Sequence, residues 1–574
     1  MKKILIIFIA TLLLVACNDS VLDLEPKDRI ADTAVWTDAS LIRAYHNAIY
    51  SSIEDAVGPN MMAKATDEMC FNQTNRYPGV ILNNTLNSDN VDDRANFRGG
   101  GSVYTWNRDY DVIRKILVFL DEMEGNEVLD NDEKTSLIAE ARVIRAFMYF
   151  RLMVRYGGVP IIDKVYALDD EFSFPRNTMD ECAAYVEADI AAAMPDLPEA
   201  IFASDGDFGK VNQSVAKALL SRFYLYMASP LFNESNDQSK WQKAADAALD
   251  LIDDGNYSLH PDYTTLFNAP SGTANNELIW ARNYTASNAH DLPMYMMGRR
   301  WGAYGGWGGA GGVSQNLVDD YEMTNGELPF IKENHVNTAT INPASGYDPQ
   351  NPYANRDPRF YQSVTFDGTE LRDVIMEKWI SSDGATWGFD SYKQSGDNPR
   401  SNYTLRKFMP GTDVMPDMGW SQNYVSPYIR FRLGEVYLNY AEAMFELGDE
   451  ATCREYLNMI RARPTVEMPA IPATVTGEEL RTKLYNERRV ELAFEEHRYF
   501  DVRRWKIAPY TEVVNLHGID IVKDVDTGVK TYTPVSLFER AWDDRLYFIP
   551  IAIEEIQKAN GDATDGELTQ TPGY

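Results

Sequence analysis

Apolar residues recur at three- and four-residue spacing through much of the chain, the period of a helix with one buried face. WTDASLIRAYHNAIYSSI (36–53) has this period, with Thr37 or Asp38 placed to cap the first turn. It returns in WNRDYDVIRKILVFLDEM (106–123) and in DEKTSLIAEARVIRAFMYFRLMVRYGG (132–158). In the latter, Ala139, Val143, Ala146, Phe147 and Phe150 share one stripe, and Gly157 and Gly158 stop the helix before Pro160. TMDECAAYVEADIAAAM (178–194) and NQSVAKALLSRFYLYMASPLF (212–232) read as the next pair, and Trp241 to Ile252 adds another helix. The spacing predicts helix pairs stacked as in a solenoid, without a crisp repeat consensus.

Between about 255 and 425 the pattern breaks. Clear helices stop, Gly, Pro, Asn and aromatic residues dominate, and short strand candidates such as ELIWARNY (277–284) appear. So long a stretch is not one bare loop, and it predicts an irregular subdomain laid over the helices. Helices resume in SPYIRFRLGEVYLNYAEAMFELG (426–448) and ATCREYLNMIRARP (451–464). GEELRTKLYNERRVELAFEEHRYFDVRRW (477–505) reads as one long helix laced with ions, and RLYFIPIAIEEIQKANG (545–561) lies near the end. The body thus divides into a helical region 36–254, a loop-rich region 255–425 and a helical region 426–574 packed on the same body.

The first residues are of another kind. MKK precedes ILIIFIATLLLVA, an apolar run too short to span a bilayer comfortably. Small Ala16 precedes Cys17, the pattern of a bacterial lipoprotein signal. Residues 1–16 therefore read as the signal, Cys17 as the lipid-bearing first mature residue and 17–35 as a polar leader; an ordinary secretory signal is the alternative. Acyl chains would hold the body at a membrane. Cys70, Cys182 and Cys453 are far apart and read as small buried hydrophobes, with one disulfide left open.

A net charge of -32 offers no phosphate-neutralising surface and argues against broad nucleic-acid binding. Six histidines form no HExxH and no pair at metal-ligand spacing, and neither GxSxG nor GxxxxGK[ST] occurs. No cofactor or metal is implied. Acids in SDNVDD (88–93) lack the spacing and glycine of an EF-hand and read as solvated. Glu487, Glu491 and Glu495 would lie along one helix face at a separation that glycoside hydrolysis allows. The arginines crowding that segment, Arg488, Arg489, Arg498, Arg503 and Arg504, favour ionised carboxylates over a raised-pKa acid. An ion-pair network is the reading, and not an enzyme.

Binding then rests on aromatics. RRWGAYGGWGGAGG (299–312) holds Trp301, Tyr304 and Trp307 at helical spacing, yet its glycines argue for a loop. A sugar ring asks for an aromatic plane beneath it and polar groups at its rim. A seal against a partner protein would use the same residue types.

Several segments resemble the SusD/RagB family of Bacteroidetes outer-membrane lipoproteins. They are AEARVIRAFMYFRLMVRYGGVPII (139–162), IRFRLGEVYLNYAEAMFELG (429–448), NERRVELAFEEHRYFDVRRW (486–505), the closing LYFIPIAIEEIQKANG and LTQTPGY, and the lipobox at Cys17. The resemblance implies a mostly helical fold of four tetratricopeptide-like helix pairs supporting an irregular ligand face with a few short strands. It implies a cell-surface protein that captures oligosaccharides and forms a lid on a SusC-like TonB-dependent transporter; a peptide-binding importer is the alternative, and a surface glycosidase a more distant one. The motif from Asn486 to Arg498 is read as structural. Candidate ligand contacts, chosen by residue type and region, are Asn83, Asn84, Asn87, Asp89, Trp106, Arg299, Arg300, Trp301, Tyr304, Trp307, Trp387 and Trp420. The negative charge disfavours an acidic polysaccharide, an expectation that Arg299 and Arg300 could reverse locally.

Overall fold

Caps delimit the helices where the apolar period begins and ends. In the computed structural model, residues 32–55, 61–70, 79–91, 103–167, 170, 174–296, 298–300, 311–371, 374–409, 424–561 and 568–574 are described. Asp38 accepts from the backbone N–H of Ser40 and Leu41 and starts α1 (Ala39–Ser52), which packs on α2 (Trp106–Met123). Asp130 caps α3 (Asn131–Tyr156), ended by Gly157 at φ 78°, and a Thr178–Glu181 capping box starts its partner α4 (Met179–Ala193). Asn212 and Asp237 cap the pair α5 (Gln213–Ala228) and α6 (Gln238–Asp253). The fourth pair is α7 (Leu433–Glu446) with α8 (Glu450–Arg461). Ala139, Val143, Ala146, Phe147 and Phe150 are all buried, as their stripe predicts. The fold is mostly helical, with paired helices and short strands.

The loop-rich stretch carries β1 (Leu278–Arg282) and the two-residue β2 (Ile380–Ser381), with only short helices among its described residues. β1 pairs antiparallel with β3 (Tyr428–Arg432), which leads directly into α7. A second apolar cluster joins Tyr321, Phe360 and Tyr403 of this stretch to Met69, Phe494 and Ile519 of the regions on either side of it in the chain. The region after 426 is less uniformly helical than its pattern suggests. LHGIDIVK forms β4 (Leu516–Lys523), paired with β5 (Lys530–Phe538) on one side and β2 on the other.

The long helix expected over 477–505 is two: α9 (Gly477–Glu491) and α10 (Arg498–Arg504). Phe494 and Glu496 take φ of 65° and 68° between them, a left-handed conformation unusual outside glycine. Buried contacts hold the break. Lys407 Nζ donates to the freed carbonyls of Glu491 and Ala493, Glu68 accepts from the Phe494 N–H, and the Glu496 carboxylate accepts from the Met62 N–H. Burial pushes the Lys407 ammonium down to about 8.

Glu487, Glu491 and Glu495 are ion-paired, but with arginines remote in sequence. Glu491 accepts from Arg432, Arg463 and Arg359 at 2.9, 3.0 and 3.0 Å. Glu487 meets Arg359 and Arg461, and Glu495 meets Arg432 and Lys407. Although burial alone would raise it, these cations hold the Glu491 carboxyl well below the usual range. The neighbouring arginines serve other carboxylates: Arg488 and Arg504 pair with Asp501, and Arg489 and Arg498 with Asp67. Cys70, Cys182 and Cys453 are free and buried, and burial pushes the Cys70 and Cys453 thiols up to about 12.

Candidate functional site

A glycine with no room for a side chain fixes one exposed aromatic surface. Residues 386–390 run antiparallel to 377–381, through Gly388 N–H to the Trp379 carbonyl at 2.9 Å and Asp390 N–H to the Glu377 carbonyl at 2.8 Å. A Cβ on Gly388 would lie 2.3 Å from the Glu377 carbonyl oxygen, so only glycine allows this approach. The period of two then turns Gly388 and Asp390 inward and Trp387 and Phe389 outward. Both rings are 40% exposed. Trp387 Nε1 donates to Gln394 Oε1 at 2.7 Å, which orients the indole.

Arg299 and Arg300 join this ribbon from a segment nearly a hundred positions earlier. Arg300 makes a fork on the buried Asp390 carboxylate, its Nη2 at 2.8 Å, with its guanidinium carbon 4.4 Å from the Phe389 centroid. Arg299 is positioned by its backbone, whose N–H donates to Asn398 Oδ1 at 2.9 Å. Buried Asn398 also donates to the carbonyls of Ser391 and Phe389, so one amide ties 299 to 389–391. Beneath the ribbon, burial pushes Lys378 down to about 8, while Asp390 and Asp367 oppose that shift.

The candidates Arg299, Arg300 and Trp387 are therefore brought together. Asn83, Asn84, Asn87 and Asp89 sit elsewhere, on a turn whose Asn84 oxygens accept from Arg545. Asn83 accepts from Thr85, and Asn87 from the N–H of Asp89 and Asn90. Trp106 is buried at the start of α2, where the Tyr156 hydroxyl accepts from its N–H. It lines a groove of about 600 Å³ between α2, residues 160–166 and α11 (Ile553–Asn560), together with Tyr110, Tyr166 and Phe174. Cys17, Trp301, Tyr304, Trp307 and Trp420 lie outside the described residues. Asp390, Gln394 and Asn398 escaped the sequence reading, since polar residues in a loop carry no periodic signal. The ribbon's signal was WGFD, two aromatics alternating with a glycine and an acid.

Paired helices carrying a loop-rich face with exposed aromatics define a protein of the helical-repeat class. The profile of the SusD family matches residues 276–574, and that described as starch-binding associating with outer membrane matches residues 22–225. The chain belongs to the SusD family. This is a family of non-catalytic, carbohydrate-binding proteins of the outer-membrane surface that partner SusC transporters. The chain is similar to SusD-like protein P25 of Formosa agariphila, at 24% identity over 79% of this chain and 76% of that protein. It is also similar to a SusD-like protein of Bacteroides ovatus, at 23% identity over 88% of this chain and 82% of that protein. Among solved structures, a SusD-like protein from Bacteroides fragilis superposes with a TM-score of 0.75 at 27% identity, covering 96% of this chain and all of that one. A laminarin binding SusD-like protein shares the fold, with a TM-score of 0.61 at 22% identity over 94% of this chain and all of that one.

Proposed function

We propose that the protein is a lipid-anchored cell-surface receptor that captures oligosaccharides and passes them to a SusC-like TonB-dependent transporter. The exposed Trp387–Phe389 ribbon carries this reading: two rings on one face, with amide and guanidinium donors beside them. Sugar C–H groups lie against such planes while hydroxyls meet the rim donors, and no bond is broken. Trp301, Tyr304 and Trp307 follow Arg300 in the chain and stay candidate ligand contacts in this proposal. Acylation at Cys17 would hold the body beside its transporter.

Calorimetric titration of the protein in detergent against a panel of oligosaccharides tests the reading. Saturable binding to one linkage class, weakened about fivefold or more in Trp387→Ala with an unchanged melting temperature, is the expected result, since one stacked ring contributes about 1 kcal/mol or more. Binding to peptides and to no glycan would overturn it.

A further inference from the structure

The two arginines beside the ribbon are not equivalent. Arg300 is neutralised by its fork on Asp390. Arg299 pairs with no carboxylate among the described residues. Its one side-chain hydrogen bond there runs from Nη1 to the Gln394 carbonyl at 3.3 Å. A guanidinium has five N–H donors, so most of its capacity is left without a protein acceptor among the described residues. Its guanidinium carbon is 5.8 Å from the Phe389 centroid, on the rim of an exposed ring.

The loop that follows adds to the same sign. Lys393 is exposed, makes no ion pair among the described residues, and holds its Nζ 5.7 Å from the Tyr392 centroid. Arg400 lies over that same ring at 5.1 Å. Residues 387–400 with 299 and 300 carry Arg299, Arg300 and Lys393 beside the carboxylates Asp390 and Asp397. Asp390 is occupied by Arg300, and Asp397 accepts from the Ser395 hydroxyl at 3.2 Å. On a chain of net charge -32, Arg299 and Lys393 stand beside Phe389 and Tyr392 without a carboxylate partner among the described residues.

We propose that Arg299 and Lys393 make this ribbon a site for anionic glycans, in which a uronate carboxylate or a sulfate ester meets the guanidinium while a sugar ring lies on Trp387 or Phe389. The inference rests on the glycan-binding reading and names its substrate class. A neutral glycan would leave the Arg299 donors to water. An anionic one exchanges that water for charge-assisted hydrogen bonds.

Three oligosaccharides of one backbone, neutral, uronate-bearing and sulfated, are titrated into the full chain in detergent at low and high salt. One anionic form should bind at least about tenfold more tightly than the neutral one at low salt, since hydrogen bonds to charged groups contribute more than neutral ones. That advantage should shrink as salt rises. It should fall in Arg299→Gln, and also in Lys393→Gln, where an exposed side chain leaves folding untouched. Whichever anionic form is preferred identifies the group as carboxylate or sulfate. Equal affinity for neutral and charged forms, unmoved by either variant, would overturn the anionic assignment and leave glycan binding intact. Binding by none of the three and by no other glycan, beside binding to peptides, would overturn both.

Discussion

Replacing Asn398 by alanine isolates the amide that joins the Arg299 segment to the aromatic ribbon. The side chain is 1% exposed and makes three bonds: from the Arg299 N–H at 2.9 Å, to the Ser391 carbonyl at 2.9 Å and to the Phe389 carbonyl at 3.3 Å. At about 1 kcal/mol net for each bond, the local loss is about 3 kcal/mol. Because about 1.4 kcal/mol is a factor of ten, opening at these amides should become about a hundredfold easier. The global effect is much smaller. With about 2.1 cal/mol/K for each of 574 residues, the unfolding entropy is about 1.2 kcal/mol/K, so Tm should fall by only about 2–3 °C. Hydrogen exchange followed at 299 and 389–391, together with a thermal melt, reads both numbers. Unchanged exchange there would mean that the amide holds nothing. A fall in Tm of about 10 °C would place Asn398 in the cooperative core rather than at a local clasp.

Two further substitutions probe the buried charges. Glu491→Gln leaves Arg359, Arg432 and Arg463 around a neutral amide and should lower the unfolding free energy by about 3–5 kcal/mol; an unmoved urea midpoint would refute this. Glu140 is pushed by burial from 4.5 up to about 7, although the Tyr50 hydroxyl donates to it at 2.7 Å. The folded state therefore holds that proton more tightly, and stability falls as pH rises from about 4.5 through 7. Glu140→Gln should match the parent at pH 4 and exceed it by up to about 3 kcal/mol at pH 8. Denaturant titrations at the two values would show it, and a variant less stable at pH 8 would sink the assignment.

Most of the helical scaffold was legible because each helix declares itself locally. Trp106–Met123 is bounded as its apolar period predicts, and the glycine at 157 ends α3 where it should. The break after Glu491 was not legible, because it is set by Lys407, Glu68 and Met62, remote in sequence from the segment they bend. The partners of Glu491 were hidden for the same reason, since Arg359 and Arg432 adjoin it only in space. β4 buries Ile519 and Ile521 on either side of Asp520, a period-of-two signal only three residues long, between Gly518 and Val522. At the ribbon, residue type singled out Trp387, Arg299 and Arg300, but their difference in charge partner came from Asp390 alone. Sequence carries composition and period; it does not carry which arginine is already neutralised.

The Asp67 carboxylate has a consequence in time. Burial alone would raise its pKa, and Arg489 and Arg498 hold it well down instead. Those two residues follow it by 422 and 431 positions. At about 5–20 residues per second, Asp67 emerges from the ribosome about 20–90 s before its counter-ions exist. Until then it must stay hydrated, and the stretch around it has to wait outside its native position. A segment synthesised well before its partners thus locks only once they arrive. A chain cut short before position 489 would leave this carboxylate without either partner, so the C-terminal residues decide whether the N-terminal ones can finish folding.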